Sequence, residues 1–321
     1  MLRDQVRLLA VLASICCFVH VAEAQQGGSG IRGRVTDEQK GVLPGVAIIV
    51  THAESGTVRE TITGGDGTFL VPGLIPGPYT VTAELSGFSR LRQEDLVLRI
   101  GATLQLDLML KVGAVEESLT VTAEAPQVDL TSAQVGGSVT TGEITNLPSG
   151  TRNFTSLVAL LPGVVYNAAA DSSSDSVTIN GQNASGVVFL MDGGSNNDDL
   201  RGGTAGAQAR PAIESIQEFQ VVASGYSAEF GRSSGGIVNA VTKTGSNRFS
   251  GSAFYVNRDK SRATKNVFGQ DAAPTQQQFG ASFGGPLRKD RIFFFGAYEQ
   301  QMVTDPRSVL FTTLTGVTPT A

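Results

Sequence analysis

The sequence predicts a mainly β protein in three parts: an N-terminal antiparallel β-sandwich, a mixed α+β domain, and the first strands of an outer-membrane β-barrel. Runs of Val, Thr and Ser are frequent, 39 glycines punctuate them, and no long amphipathic helical pattern appears. Short strand patterns recur between Gly/Pro turns in the first third of the chain. After residue 247, small and aromatic residues alternate, as they do on strands with one lipid-facing side.

The first 24 residues are typical of a cleaved secretory signal peptide. Two arginines precede an apolar run over 8–21, and a small-x-small cleavage site ends at Ala24. The apolar run is too short for a membrane-spanning helix. Cys16 and Cys17 lie inside this segment, so the mature chain is expected to contain no cysteine. Disulfides and thiolate metal sites are therefore excluded.

Charge and histidine content restrict the possible functions. The net charge is −5, from 24 basic and 29 acidic residues, which gives no reason to expect nucleic-acid binding. After signal cleavage His52 is the one remaining histidine, so a His-rich zinc site of the carboxypeptidase kind cannot be assembled. We predict no catalytic residue, no metal site and no cofactor.

The predicted sandwich occupies residues 25–112 and begins with a flexible Gly/Ser-rich stretch. Alternating or β-branched segments of strand length follow, separated by turns such as that over 64–67. The predicted strands are 31–37, 45–53, 57–64, 68–73, 78–85 and 102–110.

A linker over 113–125 contains an isolated strand-like segment. Isolated strands have unpaired backbone edges and can add to the sheet of another protein. The segment consists of Glu117, Ser118, Leu119, Thr120, Val121, Thr122, Ala123 and Glu124. An ordinary linker and the last strand of the sandwich are the alternative interpretations.

The second domain is predicted over residues 126–246 as a mixture of short helices, strands and loops. A short helix is expected from Thr141, and a second over 152–161 that ends at Pro162-Gly163. Strands are expected over 177–180, 187–194, 213–222 and 236–243.

The third part, 247–321, begins with three strands of about ten residues, the length that crosses a membrane at a tilt. A charged tight turn over 288–291 connects the second and third strands, whereas a longer polar loop precedes the second. The predicted strands are 247–257, 277–287 and 292–301, with Tyr255, Phe293 and Tyr298 as candidates for interfacial aromatic girdles.

Several segments, in this order, resemble the TonB-dependent outer-membrane receptors, in particular the Oar-like subgroup with a carboxypeptidase-regulatory-like domain ahead of the plug. The first two match that domain, the next two match the plug, and the last matches the opening barrel hairpin. They are IRGRVTDEQKGVLPGVAIIV (31–50), GDGTFLVPGLIPGPYTVTAELSGF (65–88), VTINGQNASGVVFLMDGGSNND (177–198), IESIQEFQVVASGYSAEFGRSSGGIVNAVTKTGSN (213–247) and FGGPLRKDRIFFFGAYE (283–299).

The resemblance implies a plug that fills the lumen of a barrel of about 22 strands. It identifies Glu117–Glu124 as a candidate TonB box, the strand that pairs with periplasmic TonB. The implied partners are TonB with its inner-membrane energising complex, outer-membrane lipid and an extracellular ligand. The implied location is the outer membrane, with the N-terminal domain in the periplasm. Because only about three barrel strands are present, we expect the chain to be the N-terminal part of a longer receptor.

A binding or adhesion module without transport is the alternative function, because the sandwich resembles carbohydrate-binding-like folds. Its few aromatics, Phe69, Tyr79 and Phe88, have the positions of core residues and not of a sugar-stacking platform.

Five residues are predicted at turns of the plug: Asp192, Gly193, Gly231, Gly235 and Gly236. The oxygen-rich run that continues through Asn196, Asn197, Asp198 and Asp199 lacks the spacing of a calcium loop, so a solvated turn with Asx caps is favoured. Arg201, Arg210 and Arg232 are candidates to contact an anionic substrate or the barrel wall, with solvated arginines as the alternative.

Overall fold

The computed structural model describes residues 29–113, 118–121, 134–147, 152–167, 176–197, 208–209, 211–227, 230–262 and 275–304. Contacts divide the chain into two compact units, with the division between Lys243 and Thr244. Strands dominate both units, so the predicted mainly β fold class is confirmed.

The sandwich at the start of the first unit consists of two sheets. One has the order β4-β1-β7, with β8 also pairing β1, and the other contains β3-β2-β5-β6. The strands are β1 (Gly30–Asp37), β2 (Ala47–His52), β3 (Val58–Ile62), β4 (Thr68–Pro72), β5 (Gly77–Glu84), β6 (Arg90–Leu98), β7 (Thr103–Gln105) and β8 (Leu108–Leu110).

Alternation in these strands builds the sandwich core. β2 and β5 bury every second residue, and Ile48, Val50 and Val81 are almost fully buried between the two sheets. Burial of such side chains is the main stabilising contribution in a small sandwich.

The predicted strand over 102–110 is wrong as a single antiparallel strand. It is two short strands, β7 and β8, and both run parallel to β1. Between them Leu106 donates its N–H to the Arg32 carbonyl at 2.8 Å. A Cβ at Gly33 would lie 1.7 Å from the Leu106 carbonyl oxygen, so glycine is required where Leu106 approaches β1. The sandwich is therefore mixed and not purely antiparallel.

β6 was missing from the sequence prediction because its alternation changes phase. Leu91 is buried at the start of the strand, and Leu96 and Leu98 are buried at its end. The phase changes at Asp95, whose φ is +60°, within an irregularity in the pairing of β6 with β5. One extra residue in a strand moves the later side chains to the other face.

The plug-like part of the first unit has a five-stranded sheet of order β10-β15-β16-β13-β14 and a separate β11–β12 hairpin. The strands are β10 (Val135–Thr140), β11 (Val164–Asn167), β12 (Ser176–Ile179), β13 (Val187–Met191), β14 (Gly194–Ser195), β15 (Ile216–Ser224) and β16 (Gly236–Thr242). The helices are α1 (Thr141–Asn146) and α2 (Phe154–Leu157), and short 3-10 turns cover Val158–Leu160, Ala184–Gly186 and Ile213–Ser215.

The helix predicted over 152–161 is shorter than expected. Asn153 caps α2 by accepting from the Thr155 N–H, and the segment continues as a 3-10 turn over Val158–Leu160, two residues before Pro162. Phe154 packs edge-to-face on Phe219 of β15, with the ring centroids 6.3 Å apart. Leu157 is buried in the same core cluster, so packing against the plug core, and not its own length, stabilises this helix.

The second unit is an antiparallel three-stranded sheet of order β17-β18-β19, and it confirms the predicted opening strands of a barrel. The strands are β17 (Ser250–Arg258), β18 (Thr275–Arg288) and β19 (Ile292–Thr304). A tight turn joins the last two, and Asp290 adopts φ +60° in it. Tyr255 and Tyr298 are exposed, and Phe293 is half-buried. None of the helices in the described ranges is long and apolar enough to cross a membrane.

Candidate functional site

The middle of the candidate TonB box forms a strand on the edge of the sandwich. β9 (Ser118–Val121) pairs parallel with β6, and Leu119 lies opposite Leu91. It completes the sheet of order β3-β2-β5-β6-β9. Within the described residues, the other edge of β9 has no strand partner. Glu117 and residues 122–124 lie outside the described ranges.

An edge strand presents a row of backbone N–H and C=O groups to whatever approaches it. Such an edge can accept an extended segment of another protein through ladder hydrogen bonds. The interpretation of this segment as the last strand of the sandwich, left open by the sequence, agrees with the pairing.

The end of β6 contacts the plug-like part at β15. The Ile100 N–H donates to Glu218 Oε2 at 3.2 Å, and Arg99 Nη1 lies 3.9 Å from Glu218 Oε1. Nearby, Gln217 Nε2 donates to the Pro76 carbonyl at 2.9 Å. The sandwich is therefore joined to the plug-like sheet by two adjacent residues of one strand.

Glu218 is a buried carboxylate that the sequence analysis did not identify. Desolvation raises its pKa above the ordinary glutamate value, and this outweighs the lowering by hydrogen bonds from Ile100 and Ser138 and by the charge of Arg99. Glu218 is only 6% exposed, and the pairing of β15 with β16 has an irregularity between Ile216 and Glu218. The available sequence signal was a charged residue inside a strand otherwise rich in buried apolar residues.

Asp192 and Gly193 form the tight turn between β13 and β14, with φ values of +49° and +80°. The Asp192 carboxylate accepts from the Thr242 N–H at 2.9 Å and from the Thr242 hydroxyl at 2.8 Å. This turn is therefore bonded to the last residue of β16.

The two asparagines after this turn bond to the backbone. Asn197 Oδ1 accepts from the Phe189 N–H at 2.6 Å, and Asn196 exchanges two hydrogen bonds with the backbone of Ala209. Asn196 is only 6% exposed, so this part of the predicted solvated turn is buried. Asp198 and Asp199 lie outside the described residues, and in the described ranges no group of acidic, His or Cys side chains could hold a metal ion.

The three predicted glycines before and at the start of β16 differ in how strongly the local geometry requires glycine. Gly231 lies in an open turn, where a Cβ would meet no atom within 4 Å. A Cβ on Gly235 would approach Gln182 to 3.2 Å. Gly236 adopts φ +154°, and a Cβ there would lie 2.7 Å from Ile179 Cδ1. The geometry therefore requires glycine most strongly at Gly236.

The structure describes only one of the three arginines that the sequence identified as candidates. Arg232 lies in the turn after Gly231 with φ +66°, whereas Arg201 and Arg210 lie outside the described residues. A different arginine, Arg152, forms a part-buried ion pair with Glu214 at 2.7 Å.

The aromatic residues of the sandwich belong to its core. Phe69 and Tyr79 are buried, Phe88 packs against the same cluster, and the Tyr79 hydroxyl donates to the Ile75 carbonyl at 2.9 Å. These three rings provide no exposed platform on which a sugar could stack.

Comparisons with protein families match the three parts in order. Residues 30–111 match a carboxypeptidase regulatory-like domain, residues 129–238 a TonB-dependent receptor plug domain, and residues 241–321 an outer-membrane β-barrel domain.

The chain is also similar to individual proteins. It is 32% identical over 290 residues to the TonB-dependent transporter Oar of Myxococcus xanthus, a match that covers 84% of this chain and 26% of Oar. The chain thus spans about a quarter of the length of that relative. The siderophore receptor PirA of Acinetobacter baumannii matches 51% of this chain and 24% of its own at 23% identity and a TM-score of 0.40. The transporter YddB of Escherichia coli matches 52% of this chain and 26% of its own at 17% identity and a TM-score of 0.42.

The order of the three domains and the likeness to Oar lead to one family. The chain carries, in order, the carboxypeptidase regulatory-like domain, the plug domain and the start of the barrel domain of a TonB-dependent outer-membrane receptor, and it is similar to the transporter Oar.

Proposed function

We propose that this chain supplies the TonB-coupling segment and the plug of an energy-coupled importer in the outer membrane. A signal peptide exports the chain, and the sandwich lies in the periplasm. An extracellular ligand binds above the plug, and TonB then pairs with Glu117–Glu124 by strand addition. The inner-membrane complex energises TonB, which pulls on this strand and moves the plug.

The observation that supports this proposal is the edge position of β9. The strand stands between the sandwich and the plug in the chain, and among the described strands it pairs only with β6, so it can leave the sheet by opening a single ladder. A pull on β9 is therefore delivered along the backbone to the first plug strand.

That first plug strand, β10, is suited to yield before the rest of the sheet. It lies at the edge of the plug sheet and pairs only with β15 among the described strands. Val139 is its one buried hydrophobic residue, whereas β16, the central strand of this sheet, buries six consecutive residues. Edge strands with little apolar burial open at lower free energy than central strands. A directed pull on the box would thus detach β10 and expose the plug interior.

A labelling experiment tests the proposal. Ala240 of β16 is fully buried, and residues 25–321 contain no cysteine, so Ala240→Cys adds one sulfur atom there once any cysteine after residue 321 is replaced by serine. In cells that express the full-length receptor and TonB, we expect a water-soluble maleimide to label this cysteine when the proton gradient is intact. Replacement of Glu117–Glu124 by eight Gly/Ser residues keeps the linker length and should abolish that labelling. Val165→Cys, at an exposed position, should be labelled in every condition and serves as the matched control.

Energy-dependent labelling of Ala240→Cys that persists in the Gly/Ser variant would refute the box assignment. Absence of labelling in energised cells with an intact box, where Val165→Cys is labelled, would refute movement of the plug.

A further inference from the structure

The edge of β6 already binds the segment that TonB is proposed to capture. We propose that the sandwich stores the box on this edge, so that TonB must displace the box from β6 before it can pull on the plug. This inference rests on the proposed function. It adds a regulatory surface, the β6 edge, and identifies its occupant as residues 118–121 of the same chain.

The chain tethers the box next to its docking edge. Gly113 donates its N–H to the Gly87 carbonyl at 3.3 Å, and Ser89 donates to the Lys111 carbonyl at 2.8 Å. The segment before the box is thus fixed beside the start of β6. Only residues 114–117 separate this anchor from β9. A short tether of this kind gives an effective concentration of about millimolar or more, which favours docking over a free strand.

The docking edge is also short. Pairing in the described residues runs from Arg90 opposite Ser118 to Gln93 opposite Val121. Two residues beyond Gln93, Asp95 has φ +60°, and the bulge there turns the strand. Because this bulge interrupts the regular edge of β6 two residues beyond Gln93, the ladder is only weakly stable by itself and docking is reversible. A bulge that limits pairing is a known way of preventing extended association at an edge.

The consequence is that TonB and β6 compete for the same segment, residues 118–121. If TonB uses the same backbone groups as β6, only receptors with an undocked box bind it. The apparent dissociation constant is then the intrinsic one divided by the undocked fraction, so it rises as that fraction falls. The sandwich thereby sets the fraction of receptors that can bind TonB, without contacting the ligand or the plug interior.

A reversible cross-link tests this. In the full-length receptor, Arg92→Cys and Thr120→Cys place two cysteines on residues directly opposite each other in β6 and β9. Arg92 is exposed and pairs only at the surface with Glu94, so its replacement leaves the core intact. We expect the oxidised receptor to bind the purified periplasmic domain of TonB at least about tenfold more weakly than the reduced receptor. Val97→Cys with Thr120→Cys is the matched control, because Val97 lies on β6 beyond the paired residues and should not cross-link.

A second variant acts in the opposite direction and leaves both strands unchanged. Insertion of 20 Gly/Ser residues after Gly113 lengthens the tether and lowers the effective concentration of the box at β6. TonB affinity should rise, by up to about tenfold, since loop closure follows roughly the −3/2 power of length.

The outcomes separate this inference from the proposed function. Failure of the opposed cysteines to cross-link, or equal TonB affinity of the oxidised and reduced receptor, would overturn storage on β6. Unchanged TonB affinity after Gly/Ser replacement of Glu117–Glu124 would instead overturn the box itself. Loss of binding in that replacement, together with weak binding of the oxidised receptor, supports both.

Discussion

The sandwich and the three-stranded sheet of the second unit use the same alternation for different surroundings. In the sandwich, β2 buries every second residue against the facing sheet. In the second unit, β17 leaves eight of nine residues exposed, and Phe283 and Phe249 stack on the surface of the sheet at 5.9 Å. The comparison shows that a period of two specifies a strand but not what its faces contact. The chemistry differs: β-branched aliphatic residues fill a closed core, and rings alternate with small residues where lipid is expected.

The largest difference between the two units is expected in the loss of unfolding free energy when one phenylalanine is replaced in each. Phe219→Ala leaves a cavity in the plug core beside Phe154 and should cost about 3–5 kcal/mol of unfolding free energy. Phe283→Ala removes a stacked ring that is 53% exposed, and should cost about 1 kcal/mol. Urea unfolding of residues 29–243 measures the first, and unfolding of the full receptor in detergent measures the second. Equal losses would contradict the contrast between a closed core and an open sheet.

The next effect concerns the contact between the sandwich and the plug. Glu218→Ala leaves the Ile100 N–H without its acceptor and should cost about 1–3 kcal/mol. Glu218→Gln keeps an acceptor for this N–H and removes a carboxyl group whose pKa is raised by burial. The unfolding free energy of the Gln variant should therefore stay close to that of the wild type at pH 7. Glu94→Ala breaks a surface ion pair with Arg92 and should change stability by about 0.5 kcal/mol or less. The same urea titration compares the three, and a loss in the Gln variant as large as that in the Ala variant would refute this account.

A pH titration distinguishes the buried histidine of the sandwich from that glutamate. Burial lowers the pKa of His52 from its ordinary value of 6.5, so the unfolded chain binds the proton more readily. Stability from His52 is complete above pH 6.5 and is lost as the pH falls through 6.5 towards the lowered folded-state pKa. Glu218 has the opposite sign, because its raised pKa reduces stability as the pH rises above the ordinary value of 4.5. His52→Gln should flatten the loss of stability below pH 6.5, and an unchanged pH profile would contradict the assignment.

The smallest effect is expected at the turn of the plug. Asp192→Asn tolerates the positive φ and keeps an acceptor for Thr242, but it loses the charge of the carboxylate. The expected cost is about 1 kcal/mol, since hydrogen bonds to charged groups contribute more than neutral ones. Asp192→Ala, which also loses the acceptor and the αL preference, should cost more in the same urea titration. An Asn variant less stable than the Ala variant would disprove the role of this hydrogen bond.

Much of the fold was predictable because alternation, turn residues and the helix stop at Pro162 are local signals. The predictions failed where long-range pairing decided the outcome. Residues 102–110 divide into two strands where the Leu106 carbonyl lies against Gly33 of β1, an approach between segments that are distant in the sequence. β6 was missed because the bulge at Asp95 shifts its apolar residues by one position.

The sequence predicted which residues form the candidate site, but not which strand they pair with. Alternation marked Glu117–Glu124 as a strand with free edges, but the partner of that strand depends on β6. Glu218 was not predictable as a buried carboxylate, because its burial depends on contact between two domains. Pairing across domains has no signature within a single segment of sequence.

The most direct measurement of the central claim is disulfide formation between the box and TonB in living cells. Thr120→Cys in the full-length receptor is combined with single cysteines along the periplasmic domain of TonB, and Val135→Cys on β10 is the control. We predict that Thr120→Cys forms a disulfide with TonB at one strand register and that Val135→Cys does not. Cross-linking at Val135 but not at Thr120, in receptors expressed at equal levels, would contradict the claim that Glu117–Glu124 is the TonB-coupling strand.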